Sequence, residues 1–416
     1  MSYSFAPAAF AYIDPGTGSM LFTVLLGLVS VFFYGTKSFL LKVRYSIGAR
    51  DKDEDRMAFA IYTDSDRYWT IFKPILEEFE KRKTEIHYLT QSENDSVFDQ
   101  NYEYVKATFI GEGNKGFRKL NFLKADVLLS STPSLDVYQW KRSKDTLFYI
   151  HMPHACSDLT LYKLFGIRYF DAFLLSGEFQ VDQIRELEKV WNTPERECRI
   201  VGLTYFDEMK KRLNCMDKVK NEIPVLLLAP TWGVNSILNQ FGERIIDALV
   251  STGYKVVIRP HPQSWTSEKE MLESIMKKYP EIEFNRDPDN FNILNQADLL
   301  ISEYSGVIFD FALVFGKPII YTEIDFDDSP YDSHWLESKP WTFEVLPKIG
   351  KQIKEKDLDH IKEFVDDCLT NPEYKEARKQ VAKEAWSNIG GSAEAVCDYM
   401  IEKQKELTKE NKDEPV

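Results

Sequence analysis

Short apolar runs alternate with amphipathic stretches along the first half of the chain. The apolar runs are typical of buried strands and cover residues 57–62, 86–89, 107–110, 127–130, 146–150, 172–175 and 199–201. Stretches with helical periodicity, such as 68–81 and 180–190, lie between some of them. Because parallel strands are buried on both faces and are joined by helices, this pattern predicts βα units around a mainly parallel sheet.

A polar, charged segment at 210–222 interrupts the pattern, which then starts again. The second set of apolar runs covers 225–228, 256–258, 282–284, 299–301 and 318–321, with helical stretches at 237–251, 268–278 and 307–315. We therefore predict an α/β protein with two Rossmann-like domains, at 57–209 and 223–400, that face each other across a cleft. Residues 210–222 form the predicted linker, and a charged tail follows at 401–416.

The N-terminal region has a different pattern. Residues 20–36 carry no charged side chain, and a helix of that length spans about 25 Å, the short end of a membrane helix. Lysines and arginines follow this stretch from Lys37 onwards, whereas none precedes it. We therefore predict an N-terminal segment at 1–19, a transmembrane or membrane-anchor helix at 20–43 and a linker at 44–56. The positive-inside rule places the bulk of the chain on the cytoplasmic face of the cell membrane. A buried or interfacial helix is the alternative interpretation.

Composition excludes several classes of protein. The 416 residues have a formal net charge of −14, which argues against nucleic-acid binding because that requires a basic surface. Hydrophobic residues make up 44% of the chain, which excludes a disordered protein. The five cysteines are scattered and no two have metal-ligand spacing, so we expect neither a disulfide framework nor a metal site.

One candidate functional residue follows the predicted strand at 256–258, in the sequence Arg259-Pro260-His261-Pro262. Ligands of open α/β sheets bind beyond the carboxyl ends of the strands, which is where His261 lies. The prolines restrict the backbone around the ring. A histidine can donate to a phosphate or transfer a proton at neutral pH, so we predict a ligand-facing His261.

A second loop of this kind joins the predicted strand at 299–301 to a helix. The start of a helix exposes free N–H groups and the positive end of its dipole, which attract anions. Ser302 and Ser305 add hydroxyl donors, and Gly306 allows a phosphate to approach the backbone. Asp310, about one turn into the helix, can contact the ligand or orient the loop. A simple serine cap is the alternative interpretation.

The first predicted domain also has a strand that ends in histidine, at His151-Met152-Pro153-His154. One strand-end histidine from each domain suggests an acid and a base in a single cleft. We assign the reactive role to His154, and His151 is the alternative.

Four segments resemble motifs of the CDP-glycerol glycerophosphotransferase family, the teichoic-acid primases and polymerases. They are Val201-Gly202-Leu203-Thr204-Tyr205-Phe206-Asp207, Ala229-Pro230-Thr231-Trp232, Arg259-Pro260-His261-Pro262, and Ser302-Glu303-Tyr304-Ser305-Gly306-Val307-Ile308-Phe309-Asp310. The first domain is similar to the family more loosely, through His154 and the segment that follows it. Glu303 and Gly306 differ from the family pattern, which has Asp and Ser at these positions.

The resemblance implies a GT-B fold in which the C-terminal domain holds a CDP-linked alcohol and the N-terminal domain holds the acceptor. It implies catalytic roles for His154, His261 and Asp310. The residues expected to bind the donor are Thr231, Arg259, Ser302, Glu303, Ser305 and Gly306.

We therefore expect a membrane-associated transferase that moves glycerol phosphate, or a similar polyol phosphate, to a hydroxyl of a polysaccharide or lipid-linked acceptor and releases CMP. His154 acts as the general base, while protonated His261 and the helix start at Ser305 stabilise the leaving phosphate. This arrangement requires no cofactor and no metal. The alternatives are a nucleotide-sugar glycosyltransferase or epimerase of the same fold, and a non-catalytic nucleotide-binding membrane module.

The segment 161–170 mixes large apolar side chains with Lys163 and Arg168. On an acidic protein this composition predicts an interfacial surface that guides a lipid-linked acceptor to His154. A buried amphipathic helix is the alternative.

Overall fold

The computed structural model describes residues 29–32, 36, 56–217, 219–322 and 326–413. From Arg56 onwards the chain forms one compact unit. Its first sheet has seven parallel strands in the order β3-β2-β1-β4-β5-β6-β7. The strands are β1 Met57–Thr63, β2 Ile86–Thr90, β3 Val105–Phe109, β4 Ala125–Ser130, β5 Thr146–His151, β6 Ala172–Leu175 and β7 Glu197–Ile200.

The second sheet has six parallel strands in the order β10-β9-β8-β11-β12-β13. They are β8 Val225–Leu228, β9 Lys255–Ile258, β10 Glu283–Phe284, β11 Leu299–Ser302, β12 Ile319–Thr322 and β13 Gly350–Ile353. The predicted α/β class with two parallel sheets is thus confirmed.

Helices cover both faces of each sheet. They are α1 Trp69–Lys81, α2 Asn114–Leu120, α3 Glu178–Trp191, α4 Thr204–Asn214, α5 Ile237–Phe241, α6 Glu243–Ser251, α7 Ser264–Ser267, α8 Lys269–Lys278, α9 Phe291–Gln296, α10 Gly306–Phe309, α11 Trp341–Ile349, α12 Ile361–Thr370, α13 Pro372–Ala385 and α14 Ser392–Asp413. The helix predicted at 237–251 is divided at Gly242, whose φ of 57° ends α5. Beyond α10 the helix continues as a short π-helix over Asp310–Val314.

Successive residues of a central strand enter different hydrophobic clusters, because successive side chains point to opposite faces of the sheet. In β1, Ile61 packs in one cluster and Tyr62 in the other, and both are fully buried. In β8, Leu227 and Leu228 divide in the same way. Burial on both faces is why these strands have continuous apolar sequences.

The last helix, α14, returns to the first domain and packs against α1 and β4. Val396 and Met400 are fully buried in the same cluster as β1, and Leu407 packs against that cluster. The segment that we assigned to a charged tail from residue 401 is therefore helical as far as Asp413, because its apolar positions find a partner in the first domain.

The loop before α4 holds the returning chain. Gly202 has a φ of 93°, and a Cβ on it would lie 2.3 Å from Ser392 Oγ and 2.5 Å from Ser387 O. Asp207 accepts from Trp386 Nε1 and from the backbone N–H of Ser392, both at 3.0 Å. The Gly202-to-Asp207 motif is thus part of the connection between the two domains.

The predicted membrane helix at 20–43 lies outside the described residues except for 29–32 and 36, which are helical. Within the described part of the chain, no helix combines the length and the apolar character that a membrane crossing needs.

Candidate active site

Three loops meet at the carboxyl edge of the second sheet. They follow β9, β8 and β11, which are adjacent strands, and they carry His261, Thr231 and Ser305 respectively. Because neighbouring strands lie about 4.8 Å apart, all three loops begin within roughly 10 Å of one another. The fold therefore brings the sequence-predicted donor residues to one edge.

Two of those residues lie beneath the surface of the site. Glu303 is 1% exposed and accepts from the backbone N–H of Thr231, at 2.8 Å, and of Ile237. Ser302 is fully buried and donates to Ala229 O at 2.7 Å. Burial raises the pKa of Glu303, and the N–H donors oppose that rise. Glu303 and Ser302 therefore fasten the loop after β8 to β11, so their contacts place them below the open edge.

His261 lies at the exposed edge, next to the exposed indole of Trp232, with 6.4 Å between the ring centroids. Its Nδ1 accepts from the backbone N–H of Gln263 at 3.1 Å, so Nε2 carries the proton of the neutral ring. Partial desolvation lowers the pKa of His261, and the Glu268 carboxylate opposes this shift. The ring therefore donates a hydrogen bond at neutral pH without the positive charge that the sequence analysis assigned to it.

The start of α10 is open. Ser305 has extended backbone angles at the N-cap, and its side chain makes no capping hydrogen bond. Gly306 is exposed, and a Cβ on it would have nothing within 4 Å. The free N–H groups of this turn can therefore be approached by an anion.

Arg259 is directed along the sheet towards β10. It donates to Asn285 Oδ1 and, at 2.8 Å, to Asp287 O. Burial lowers the pKa of its guanidinium, and the carboxylates of Asp287 and Asp289 oppose this. Arg259 thus braces the loop after β10, and the positive charge that it brings to the edge is shared with these groups.

Asp310 lies between the two domains. It is 8% exposed and accepts from Tyr205 Oη at 3.3 Å. Burial raises the pKa of Asp310 to about 7, and the hydrogen bond from Tyr205 opposes the rise. Tyr205 belongs to α4, and its ring packs against core clusters of both domains. These contacts place Asp310 at the junction of the domains.

The two histidines of the first domain lie in different environments. His151 is fully buried, its Nε2 is 3.0 Å from Tyr162 Oη, and desolvation lowers its pKa to about 3. His154 is half-buried beside Tyr68, with ring centroids 5.0 Å apart. Burial and the Arg67 charge lower the pKa of His154, and Asp64 opposes them. His151 is therefore a core side chain, and His154 is the neutral base nearer the surface.

The segment with Lys163 and Arg168 forms turns, and the amphipathic-helix alternative is wrong. Lys163 is exposed and forms an isolated antiparallel bridge with Tyr331. Arg168 donates to Trp191 O at 3.1 Å and lies against the ring of Phe165. Of these two cations, Lys163 is therefore the one exposed to solvent, whereas Arg168 stabilises the fold through its contacts with Trp191 and Phe165.

Sequence reasoning missed two features of the site. Arg67 and Tyr68 follow β1 and lie beside His154, but they carry no motif of their own. Asp158 joins the domains by accepting from the first residues of α11. The contact partners of these residues are 86 to 184 positions away in the sequence, so no local motif marks them. Their position after the end of a strand was the one signal that the sequence offered.

Solved structures that resemble this one share its architecture. The wall teichoic acid polymerase TagF is 14% identical with a TM-score of 0.57, and the match covers 92% of this chain and 99% of that one. The UDP-GlcNAc 2-epimerase of Methanocaldococcus jannaschii is 16% identical with a TM-score of 0.56, over 83% of this chain and 100% of that one. The epimerase of Neisseria meningitidis is 13% identical with a TM-score of 0.54, over 83% and 100%. At these identities the likeness establishes the GT-B-like fold and nothing further.

A comparison with curated protein sequences gave no match. A family model does match: the model for CDP-glycerol:poly(glycerophosphate) glycerophosphotransferases covers residues 202–402. This range contains the three loops of the second sheet, Asp310 and the Gly202-to-Asp207 motif. The resemblance seen in the sequence and the expected class of enzyme, a transferase, are thereby confirmed: residues 202–402 of this chain, just under half of its length, match the family of CDP-glycerol:poly(glycerophosphate) glycerophosphotransferases.

Proposed function

We propose that the protein transfers glycerol phosphate, or a similar polyol phosphate, from a CDP-linked donor to a hydroxyl of a cell-surface polymer or its lipid-linked precursor. The observation that carries this proposal is the family match over the same residues that form the open edge of the second sheet. His261 offers a neutral Nε2–H donor there, and α10 offers its free N–H groups. These groups suit a diphosphate, whose charge is spread over several oxygens.

The reaction balances without a cofactor. An acceptor hydroxyl attacks the phosphorus that bears the glycerol, a new phosphorus–oxygen bond forms, and the bond from that phosphorus to the bridging oxygen breaks. CMP leaves with the electron pair, and the hydroxyl proton passes to the neutral ring of His154. His261 and the start of α10 stabilise the charge that develops on the leaving phosphate. Positioning of the two substrates supplies much of the rate in such transfers.

We further propose that residues 20–43 hold the chain at the cell membrane with residues 56–413 on the cytoplasmic face. The uncharged stretch and the cations that follow it support this orientation. Lys163 adds an exposed cation to the first domain, where it would meet an anionic surface. Protease added to intact cells should leave the domains uncut, and cleavage from outside would reverse the orientation.

A donor panel tests the reaction. The full-length protein is incubated with CDP-glycerol, CDP-ribitol, UDP-GlcNAc and GDP-mannose together with a glycerol phosphate oligomer, and the released nucleotide is identified by mass spectrometry. We expect CMP from a CDP-linked alcohol and an oligomer lengthened by one unit. UDP release or epimerised UDP-GlcNAc would instead favour the nucleotide-sugar alternatives. Tight nucleotide binding without turnover of any donor would favour a binding module.

A further inference from the structure

A second group of polar side chains lies at the carboxyl edge of the first sheet. The loops after β1, β4 and β5, which are adjacent strands, meet there. Thr132, after β4, donates to Asp64 Oδ1 at 3.2 Å, so the first two loops are joined. The ring of His154, after β5, lies 5.0 Å from that of Tyr68, which joins the third loop to the first.

Arg67 lies on top of this group. Its guanidinium carbon is 4.6 Å from the centre of the Tyr68 ring, on which it rests as a cation on an aromatic face. The side chain is 65% exposed, and the nearest carboxylate, Asp64, is 3.9 Å away, at the limit of an ion pair. Because most of this side chain is exposed, N–H groups of the guanidinium can be approached by an oxyanion from solvent.

Arg67 is also close enough to His154 to act on it. The Arg67 charge contributes to the lowered pKa of His154, after the larger effect of burial. The Nδ1 of His154 is buried and has no hydrogen-bond partner among the described residues. An arginine, an aromatic ring and a histidine therefore occupy this edge of the first sheet, as the counterpart of the carboxyl edge of the second sheet.

We propose that Arg67 binds a phosphate of the acceptor chain, so that the terminal hydroxyl of that chain is presented to His154. This inference rests on the proposed function and adds to it the residue that recognises the phosphodiesters of the acceptor. The contact with Tyr68 fixes the guanidinium beside the reacting group, and the bound phosphate replaces the weak pairing with Asp64. A bidentate arginine contact selects a phosphate-bearing acceptor over a neutral glycan.

The test compares Arg67→Gln with Lys73→Gln. Lys73 lies on α1, is partly exposed and pairs with Glu77 at 3.6 Å, so its loss removes the same charge away from His154. Titration with a glycerol phosphate oligomer, in the absence of donor, should show affinity at least tenfold weaker for Arg67→Gln and unchanged for Lys73→Gln. In turnover, the KM for the oligomer should rise in Arg67→Gln while the KM for the donor stays the same, and Arg67→Lys should recover part of the loss.

Two further measurements distinguish this proposal from its competitors. In the histidine NMR spectrum, Arg67→Gln should raise the pKa of His154, which faces Arg67, Asp64, Tyr68 and His151. Binding to vesicles that contain phosphatidylglycerol is measured as well, because it shows whether Arg67 recognises a lipid headgroup rather than a phosphate of the acceptor chain. The proposal requires binding to the oligomer. The proposal is overturned if wild type and Arg67→Gln bind the oligomer equally well, or if Arg67→Gln and Lys73→Gln lose the same affinity. It is also overturned if Arg67 affects binding to vesicles but not to the oligomer. Absence of turnover with every donor would contradict the proposed function. The titration contains no donor, so it tests the role of Arg67 independently of that result.

Discussion

Thr342 of the second domain donates both its backbone N–H, at 3.0 Å, and its hydroxyl to one oxygen, Oδ2, of Asp158 in the first domain. The other oxygen accepts from the N–H of Trp341 and from Gln183 Nε2, each at 2.6 Å. The carboxylate is 3% exposed, and it occupies the start of α11, where the helix dipole favours a negative charge. Because Asp158 lies four residues after His154, this contact couples the position of the His154 loop to the second domain.

Asp158→Asn should weaken the contact between the domains, because an amide offers only one acceptor oxygen where the carboxylate offers two. We expect a loss of about 1–3 kcal/mol in the free energy of unfolding. Hydrogen exchange should become faster at residues 341–343, and kcat should fall. Asp207→Asn is the matched control: Asp207 also accepts two hydrogen bonds between segments, and its loss should reduce stability without lowering kcat. Unchanged exchange at 341–343 in Asp158→Asn would contradict the coupling.

Gly202→Ala should destabilise the protein strongly. The new Cβ would lie 2.3 Å from Ser392 Oγ, and a φ of 93° is unfavourable for any residue with a Cβ. The expected cost is about 1–3 kcal/mol for the backbone alone, measured by denaturant unfolding. An unfolding curve equal to that of the wild type would show that the segment 386–392 can move away.

Gly306→Ala provides the opposite result. A Cβ there meets nothing within 4 Å, so the midpoint of thermal unfolding should be the same as in the wild type. If a phosphate lies against the backbone at the start of α10, the added methyl group should weaken the binding of CMP and of CDP-glycerol. Calorimetric titration measures this directly. Wild-type affinity for both nucleotides would place the phosphates elsewhere.

His261→Ala should lower turnover strongly and leave folding intact. The ring is exposed, so its removal opens no cavity, while the Nε2–H donor to the leaving phosphate is lost. Loss of one such donor typically lowers kcat by about a hundredfold to a thousandfold. CMP release measures the effect, and His360→Ala, which removes an exposed histidine at another position, should keep full activity. Near-normal turnover in His261→Ala would remove this residue from the mechanism.

The pH dependence of stability should reveal Asp310. Burial raises its pKa from 3.8 to about 7, so between these values the folded protein binds a proton that the unfolded chain has released. Its contribution to stability is therefore greatest below about pH 4 and is lost as the pH rises to 7. Asp310→Asn removes this dependence. Its melting temperature, relative to the wild type, should increase from pH 5 to pH 8, and a constant difference would show that the carboxyl is not buried in solution.

The sequence alone determined the α/β class, because strands buried on both faces must be apolar at successive positions and β1 and β8 are. It also located the loops at the carboxyl edge of the second sheet, since a ligand site in a parallel sheet lies where strands end, and His261 and Gly306 occupy such ends. It did not predict that the helix from Ser392 to Asp413 completes the first domain, since a charged amphipathic helix has the same pattern whichever core it covers.

Only the tertiary structure decided which polar groups face the site. Ser302, Ser305 and Glu303 are close in sequence, yet Glu303 is buried because its carboxylate meets backbone N–H groups from a loop more than 60 residues away. His151 and His154 are three residues apart, and the packing around β5 buries one completely while leaving the other beside Tyr68 and Arg67. Burial and pairing depend on contacts between distant segments, so the local sequence supplies the chemical groups and the fold assigns their roles.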